Sequence, residues 1–258
     1  MPFTLSHPAA AVPLARNGLV LSALVVGSMA PDFPYFIHLS TASQYGHTFS
    51  GVFLFCVPAG LAVLWVFHNV LKLPLLTLLP VSYQERLISV VGNFRFSPSR
   101  RFLLIILSLV VGAFTHIAWD SFTHPHAWGV HQFPVLNTPI IYTAQGSIRV
   151  FKLLQYGSTV TGAALLIYWY LKWFRGTSRH PVNLPVQLSS QFKRRLIILA
   201  ALSASILAGV NGFRNISTMF NLHDFALHAT LAGFSAVIVE LIVFSVFWHL
   251  VQSKNKPT

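Results

Sequence analysis

Residues 101–126 read RFLLIILSLVVGAFTHIAWDSFTHPH. The apolar run from Phe102 to Trp119 is close to the ~20 residues that a helix needs to cross a bilayer. Asp120 and a group of histidines follow it directly. This stretch predicts a membrane helix that carries polar side chains at one end.

Other apolar runs repeat this pattern along the chain. Three are near the length of a span and two are shorter: Gly51 to Leu71, Phe151 to Phe174, Phe225 to Val251, Gly18 to Ala30 and Leu196 to Val210. As helices the two shorter runs would extend only about 20 and 22 Å, so they need help from their flanks to cross. We predict an all-α fold, a polytopic membrane helical bundle of about six membrane helices, in one domain over residues 1–258.

The composition excludes a soluble nucleic-acid-binding domain. Charged residues make up 9% of the chain, whereas a soluble domain averages about 25%. Lipid must therefore cover much of the surface, and the net charge of +12 is better explained by membrane topology than by phosphate binding. The expected partner is membrane lipid, with no nucleic acid and no protein partner indicated. The single cysteine, Cys56, excludes disulfides and a cysteine-based zinc site.

The basic residues sort between alternate loops if all six runs cross. Of the 17 Lys and Arg residues, only Arg149, Lys152 and Arg214 then lie on the less basic side. This is the positive-inside pattern, so we expect an integral protein of the bacterial cytoplasmic (inner) membrane with its C-terminus in the cytoplasm. The loops 31–50 and 120–148 then face outward.

His116 and Asp120 form the most informative pair in the chain. Four residues apart, they project from one face of a helix, and an imidazole with a carboxylate suits Zn²⁺ or a similar divalent metal. The alternative is a hydrogen bond that only staples the helix. Three further histidines, at 124, 126 and 131, favour the metal.

The preceding segments supply matching ligands. Asp32 follows the first apolar run and His47 precedes the next one, so both lie at the outward end of a span. His7 can join them only if residues 9–30 fold back as a re-entrant hairpin, for which Arg16-Asn17-Gly18 is a suitable turn. Otherwise His7 stays on the cytoplasmic side and is not a ligand.

The remaining polar candidates lie near the C-terminus. Asp224 and His228 share a helical face at the outer end of the last span, where they could contribute to a metal site or pair only with each other. Glu240 lies deep within the same span, and an acid at that depth is a functional candidate by default.

Four stretches together resemble an uncharacterised bacterial membrane-protein family, a domain of unknown function. They are the opening MPFTLSHPAA (1–10), GSMAPD (27–32), GHT (46–48) and the 112–124 block. The resemblance covers roughly the whole chain, is strongest up to His131, and implies no activity by itself.

The order of the His and Asp residues is more distantly similar to the membrane-bound metal-dependent hydrolases of bacterial inner membranes. It is also similar to the zinc-dependent phospholipase C and single-strand nuclease superfamily. This resemblance implies that His7 with a bridging Asp120 holds a second zinc and that His126 begins a third site. The ligands that it implies for the first zinc are Asp32, His47, His116 and Asp120.

The chain departs from that superfamily in two ways. The third site is completed there by a later HxxxD or HxxxE, whereas Asp224 and His228 stand in reversed order here. The superfamily also uses an N-terminal Trp amine, and this chain begins Met-Pro. One or two metal ions therefore fit the sequence as well as three.

The function that this pattern predicts is a membrane-bound, zinc-type hydrolase of phosphoester or lipid-derived substrates, acting at the outer membrane face. The metal would lower the pKa of a bound water, and Asp32 would be either a ligand or the catalytic base. One alternative is a non-catalytic membrane protein with a structural metal site. Another is an ion- or proton-coupled transporter that uses Glu240.

Overall fold

Helices account for most of the regular structure. The computed structural model describes residues 4–40, 45–92, 94–143, 146–182, 184, 188–215 and 222–254. Within this part of the chain, five helices are long and apolar enough to cross a membrane: Phe49–Leu78, Ser99–Thr123, Val150–Gly176, Ser190–Arg214 and Asp224–Ser253. The predicted all-α membrane bundle is confirmed.

Short helices form the N-terminal part of the chain. They are α1 (Pro8–Ala11), α2 (Leu21–Gly27), α3 (Phe33–His38) and α4 (Phe49–Gly51). Tighter 3₁₀ turns lie between and before them, at Thr4–Ser6, Val12–Asn17, Ala30–Asp32 and Tyr45–His47.

Longer elements follow α4. A widened turn at Val52–Cys56 leads into α5 (Val57–Val66), and a second one at Phe67–Leu71 leads into α6 (Lys72–Leu78). The later elements are α7 (Val81–Leu87), α8 (Ser99–Thr123), α9 (Trp128–Gln132), β1 (Pro139–Thr143), β2 (Gly146–Arg149), α10 (Val150–Gly176), α11 (Ser190–Arg214) and α12 (Leu222–Lys254). Short 3₁₀ turns at Ile88–Val90 and Pro134–Asn137 complete the set.

Two prolines explain the widened turns. Pro58 and Pro74 have no amide hydrogen, and a proline ring clashes with the carbonyl four residues earlier. The helix accommodates the ring by widening the turn before it. The carbonyl of Val70, four residues before Pro74, instead accepts a 3.0 Å hydrogen bond from His249 Nε2.

The chain divides into two compact units. The first contains the described residues of 1–33, 44–64 and 95–176, and the second those of 34–43, 65–94 and 177–258. In the first unit β1 and β2 form an antiparallel hairpin with Tyr142 opposite Ser147. In the second unit α11 and α12 are packed along each other.

The first apolar run does not form a span. Gly18 has a φ of 83°, a left-handed conformation that costs glycine little, and it reverses the chain after Val12–Asn17. The helix that follows, α2, has 7 residues and is only about 10 Å long. In place of about six membrane helices, the described part of the chain has five long apolar helices and a short N-terminal helical hairpin.

This hairpin packs against α8 through small residues. The amide of Val20 donates to Ser108 Oγ at 2.9 Å, and a Cβ placed on Gly112 would lie 2.5 Å from the Leu24 carbonyl oxygen. His116 meets the Ser28 carbonyl one turn further along. α2 and α8 thus run parallel in a constant register, and such close backbone contact is typical of small residues at membrane helix interfaces.

A small apolar core lies beside these contacts in the first unit. Ala30 from the turn after α2, Val52 and Cys56 from the first long helix, and Ala113 from α8 are all buried together. Three separate segments are thereby held against one another next to Asp32, His47 and His116.

Candidate metal centre

Four chain segments bring His and Asp side chains to one place in the first unit. His7 precedes α1, Asp32 ends the turn after α2, His47 ends the turn before α4, and α8 carries His116 and Asp120. Two groups of three could each hold a metal ion: His7, His116 and Asp120, and Asp32, His47 and His116. The sequence-predicted ligands of the first zinc are therefore neighbours in the fold.

The spacing of the ligand atoms is that of a metal site. The two imidazole Nε2 atoms of His47 and His116 are 3.3 Å apart. Asp32 Oδ1 lies 3.4 Å from His47 Nε2 and 3.6 Å from His116 Nε2. Asp120 Oδ2 lies 3.6 Å and 3.2 Å from the same two nitrogens. Neighbouring ligands around a tetrahedral zinc with bonds of 2.0–2.1 Å are roughly 3.3 Å apart, so these distances fit one small cation.

His116 is held in the tautomer that a ligand requires. Its Nδ1 lies 2.8 Å from the Ser28 carbonyl oxygen, which can only accept, so Nδ1 carries the hydrogen. Nε2 then presents its lone pair to the other ligands. Metal-binding histidines commonly donate the second ring nitrogen to a backbone carbonyl, which fixes the ring and raises its basicity.

Asp32 is fixed by a hydroxyl from the N-terminal turn. Thr4 Oγ1 donates a 2.6 Å hydrogen bond to Asp32 Oδ2, and the Asp32 side chain is fully buried. Oδ1 is thereby left to face His47 and His116. Such charge-assisted hydrogen bonds are among the stronger ones in proteins.

Asp120 faces two sets of histidines with its two oxygens. Oδ2 faces His47 and His116, while Oδ1 lies 3.5 Å from His7 Nε2 and 3.6 Å from His124 Nδ1. The His7 ring stacks on His116 with centroids 3.7 Å apart. His124 Nδ1 also donates to the Asp120 backbone carbonyl at 3.1 Å. Asp120 therefore has the orientation of a carboxylate that can bridge two ions.

Three ligand atoms lack the hydrogen bonds that burial requires. His7 Nε2, Asp32 Oδ1 and Asp120 Oδ1 are buried and have no hydrogen-bond partner within the described part of the chain. An unsatisfied buried polar atom is costly, more so when it is charged. All three point into the same cluster, so a cation there would satisfy them together.

Three histidines of the cluster that lie outside the long helices, His7, His47 and His124, have displaced pKa values. Burial, reinforced by the neighbouring His116, lowers the pKa of His7 to about 4. Burial acts in the same direction on His47, but the carboxylates of Asp120 and Asp32 beside its Nε2 outweigh burial and raise the pKa to about 9. Burial also lowers the pKa of His124. Near neutral pH His7 is thus ready to bind a metal, whereas His47 must first lose a proton.

The cluster is open on one side. The side chains of His7, Asp32 and His116 are almost completely buried, whereas His47 is 18% exposed and His124 is 26% exposed. Catalytic metal sites keep one position for water or substrate. The edge formed by His47, Asp120 and His124 is where a water or a substrate could reach the ion.

Four sequence-predicted candidates lie outside both ligand groups, and one of them, His124, still lies beside Asp120. His126 is exposed, has a φ of 64° and lies near the His131 ring, 6.3 Å between centroids. Asp224 and His228 belong to the second unit, where His228 Nδ1 donates to the Leu39 carbonyl at 3.3 Å. Pro125 explains the position of His126, because it ends α8 and turns the chain away from the helix axis.

The sequence did not reveal two supporting groups. No sequence pattern predicts that Thr4 lies beside Asp32, 28 residues away. Ser28 contributes its backbone carbonyl, which every residue type has, so its identity could not be predicted from the sequence. The only available hint is that Ser28 follows the last turn of α2, where carbonyls have no partner within the helix.

Comparisons with known proteins confirm the resemblance to a domain of unknown function and give no support to the more distant similarity to hydrolases. No curated protein and no solved structure shows significant similarity to the chain. The family described as Domain of unknown function (DUF4184) matches residues 1–252. The chain therefore belongs to this uncharacterised family of proteins.

Proposed function

We propose that the protein is a membrane-bound, metal-dependent phosphoester hydrolase. The observation that carries this proposal is the convergence of Asp32, His47, His116 and Asp120, whose ligand atoms lie 3.2–3.6 Å apart in the five measured pairs. The buried atoms without hydrogen bonds at the same place support a cation, and the open edge supports catalysis over a purely structural role.

Zinc is the metal that these donors suit best. Two imidazole nitrogens and two carboxylate oxygens, in the absence of thiolate, match the ligands of catalytic zinc sites. Asp120 Oδ1 and His7 Nε2 are the donors for a second ion. His126 lies outside both groups, so the geometry supports one or two ions rather than three.

The side chains around the cluster have distinct roles in this proposal. A bound metal supplies a water of lowered pKa and polarises the phosphoryl oxygen. Asp32 holds its place through Thr4 and acts as a ligand, while Asp120 links the two halves of the cluster. His124, the most exposed imidazole at the open edge, is the candidate for accepting a proton from the attacking water, since burial lowers its pKa and favours the neutral ring.

The location of the cluster supports substrates derived from lipid. It lies at the end of α8 that precedes the loop 124–149, on the side that the distribution of basic residues predicts to face outward. We place the protein in the bacterial cytoplasmic membrane with its C-terminus in the cytoplasm. The order of the ligands, similar to that of zinc-dependent phospholipases C, supports the same substrate class.

Metal content and phosphoesterase activity test the proposal together. We expect at least one equivalent of zinc in the detergent-purified protein, and hydrolysis of phospholipid or of a chromogenic phosphodiester. His116→Ala and Asp120→Ala should lose both, whereas His131→Ala, an exposed histidine outside the ligand groups, should lose neither. Stoichiometric metal that raises thermal stability without any turnover would favour the non-catalytic alternative.

Glu240 supports a second candidate function, coupled transport. Its Oε1 accepts a 2.6 Å hydrogen bond from Ser203, whereas its Oε2 is buried without a hydrogen bond in the described part of the chain. Beside it lies a largely apolar cavity of about 400 Å³ between α11 and α12. Transport into liposomes that survives Asp120→Ala but fails with Glu240→Gln would establish this function instead.

A further inference from the structure

The loop between α8 and α10 exposes an unusually apolar surface. Over residues 128–142, six large apolar side chains are 47–79% exposed: Trp128, Phe133, Val135, Ile140, Ile141 and Tyr142. Exposed apolar residues are ordinary when scattered, but a contiguous set marks an interaction surface. We call this stretch, residues 128–142, the apolar loop.

The hairpin within this region needs an apolar partner. β1 pairs only with β2 in the described structure, and its residues Ile140, Ile141 and Tyr142 are all exposed. Successive residues of a strand point to opposite faces, so both faces of β1 are apolar. A two-stranded hairpin is marginally stable in water, and an exposed apolar edge strand promotes aggregation there.

Covalent continuity brings this surface to the bilayer. The loop is attached at one end to α8 and at the other to α10, two helices suited to span a membrane. β2 ends at Arg149 and α10 begins at Val150 with no intervening residue. β2, the partner of β1, therefore leads directly into α10, a helix suited to span a membrane whose apolar residues Val160 and Ile167 are strongly exposed.

The charges around the loop suit a phosphate layer. Residues 121–223 contain no Asp or Glu, so no acidic side chain opposes an anionic headgroup there. Arg149 is tied to the loop by a 2.7 Å hydrogen bond to Asn137 Oδ1, and Lys152 lies 5.5 Å above the Tyr156 ring. Basic residues beside an apolar, aromatic-rich surface are typical of membrane interfaces.

We propose that the apolar loop inserts into the headgroup layer of the outer leaflet, beside the open edge of the metal cluster. α8 joins the two features, because it carries His116 and Asp120 at the end from which the loop departs. The insertion of the apolar loop rests on the proposed function only for the identity of the substrate. An apolar loop that lies among the headgroups presents lipid phosphoesters to the metal cluster.

Depth-resolved spin labelling tests the insertion without requiring activity. Single cysteines replace Ile140 or Tyr142 in a Cys56→Ala background, with Ile167→Cys as the lipid reference and Ser178→Cys as the aqueous reference. In phosphatidylethanolamine–phosphatidylglycerol vesicles, labels at 140 and 142 should be relaxed more by oxygen than by a polar nickel chelate, as at 167. Accessibility like that at 178 would overturn the proposal. Protection from both reagents with dipolar broadening would also overturn it, because a second copy of the chain would then cover the loop.

Activity measurements test the substrate separately. The double variant Ile141→Asp/Tyr142→Asp should lower turnover of vesicle phospholipid at least tenfold and leave turnover of a soluble short-chain phosphodiester within twofold. Equal losses on both substrates would overturn delivery by the loop. Absence of turnover by the unsubstituted protein would contradict the hydrolase proposal while leaving the spin-label result, and hence the insertion, unaffected.

Discussion

The sequence predicts that Asp120 pairs with His116, but the second set of contacts that Asp120 makes depends on the fold. The spacing of four from His116 predicts a shared helical face, and the two side chains are 3.2 Å apart. The orientation of the second oxygen toward His7 depends on a segment more than a hundred residues earlier. Local periodicity therefore identifies the pair, and only the hairpin supplies the third partner.

Thr4 offers a test of how the cluster is supported. Thr4→Val keeps the shape of the side chain but removes the hydrogen bond to Asp32 Oδ2, leaving a buried carboxylate oxygen without its donor. We expect zinc affinity to fall about 10- to 100-fold, as is usual when the group that orients a ligand is removed. Competition with a chromophoric chelator measures the change.

The matched control is Thr4→Ser, which retains the hydroxyl and should bind zinc within about threefold of the unsubstituted protein. Equal affinities for Thr4→Val and the unsubstituted protein would show that Asp32 needs no orienting group, or that it is not a ligand.

His47 makes metal binding depend on pH. Its pKa in the metal-free protein is raised to about 9, so between pH 7 and 9 the imidazole carries a proton that a metal must displace. His7, with a pKa of about 4, carries none in that range. Zinc affinity should therefore rise close to tenfold per pH unit from 7 and level off above about 9.

Chelator-buffered titrations at pH 7, 8 and 9 measure this dependence. His131→Ala should retain the same slope, since His131 is exposed and outside both ligand groups. A constant affinity over these two pH units would mean that His47 is not a ligand.

At the scale of elements, the parallel contact of α2 with α8 positions the cluster. Gly112 is one of two very close approaches, with the Leu24 carbonyl oxygen 2.5 Å and the Ser28 amide nitrogen 2.7 Å from a Cβ placed there. Both neighbours are backbone atoms, so no side chain can rotate away. The same contact determines where the Ser28 carbonyl meets His116.

Gly112→Ala should separate the two helices and destabilise the protein. Forcing an extra methyl into a packed contact costs about 1–3 kcal/mol, and the displaced Ser28 carbonyl should also weaken zinc binding. Thermal unfolding in detergent, followed by circular dichroism, measures the first effect, and metal content measures the second.

Gly157→Ala is the control, because a Cβ at Gly157 in α10 meets nothing within 4 Å. Alanine there should leave the melting temperature unchanged or slightly raised, given its better helix propensity. Similar melting temperatures for the two variants would contradict the packing argument.

At the scale of the whole molecule, five membrane-crossing helices predict that the segments before Phe49 and after Ser253 lie on opposite sides of the membrane. The N-terminal hairpin returns His7 to the position of Asp32, so it does not cross. Because most basic residues lie in the loops after the first and third spans and after the last one, those regions should be cytoplasmic. With this topology, the metal cluster lies on the non-cytoplasmic side of the membrane.

Thiol labelling of intact cells tests this topology. In a Cys56→Ala background, Asn215→Cys should react with a membrane-impermeant maleimide in whole cells, and Ser178→Cys should react only after lysis. Both residues are exposed, so a difference reports the side of the membrane rather than burial. The reverse pattern would place the cluster in the cytoplasm and contradict the proposed outer-leaflet substrate.

The sequence by itself determined the features that depend on local chemistry. Apolar runs of about 20 residues predict spans because lipid tolerates little else, and a count of five acids directs attention to Asp32 and Asp120. The short run from Gly18 to Ala30 could be read either as a span or as a hairpin, and its length alone does not decide between them.

Only the tertiary structure decided which polar side chains meet. His7, Asp32 and His47 converge on α8 because α2 packs parallel to that helix. This packing depends on the close contact of Gly112 with the backbone of α2, which the periodicity of the sequence does not predict. His126 was included through the resemblance to zinc-dependent phospholipases C, and the backbone turn at Pro125 leaves it outside both ligand groups. Ligand geometry depends on contacts between distant segments, and these arise from packing, whereas spans follow from the hydropathy of each segment alone.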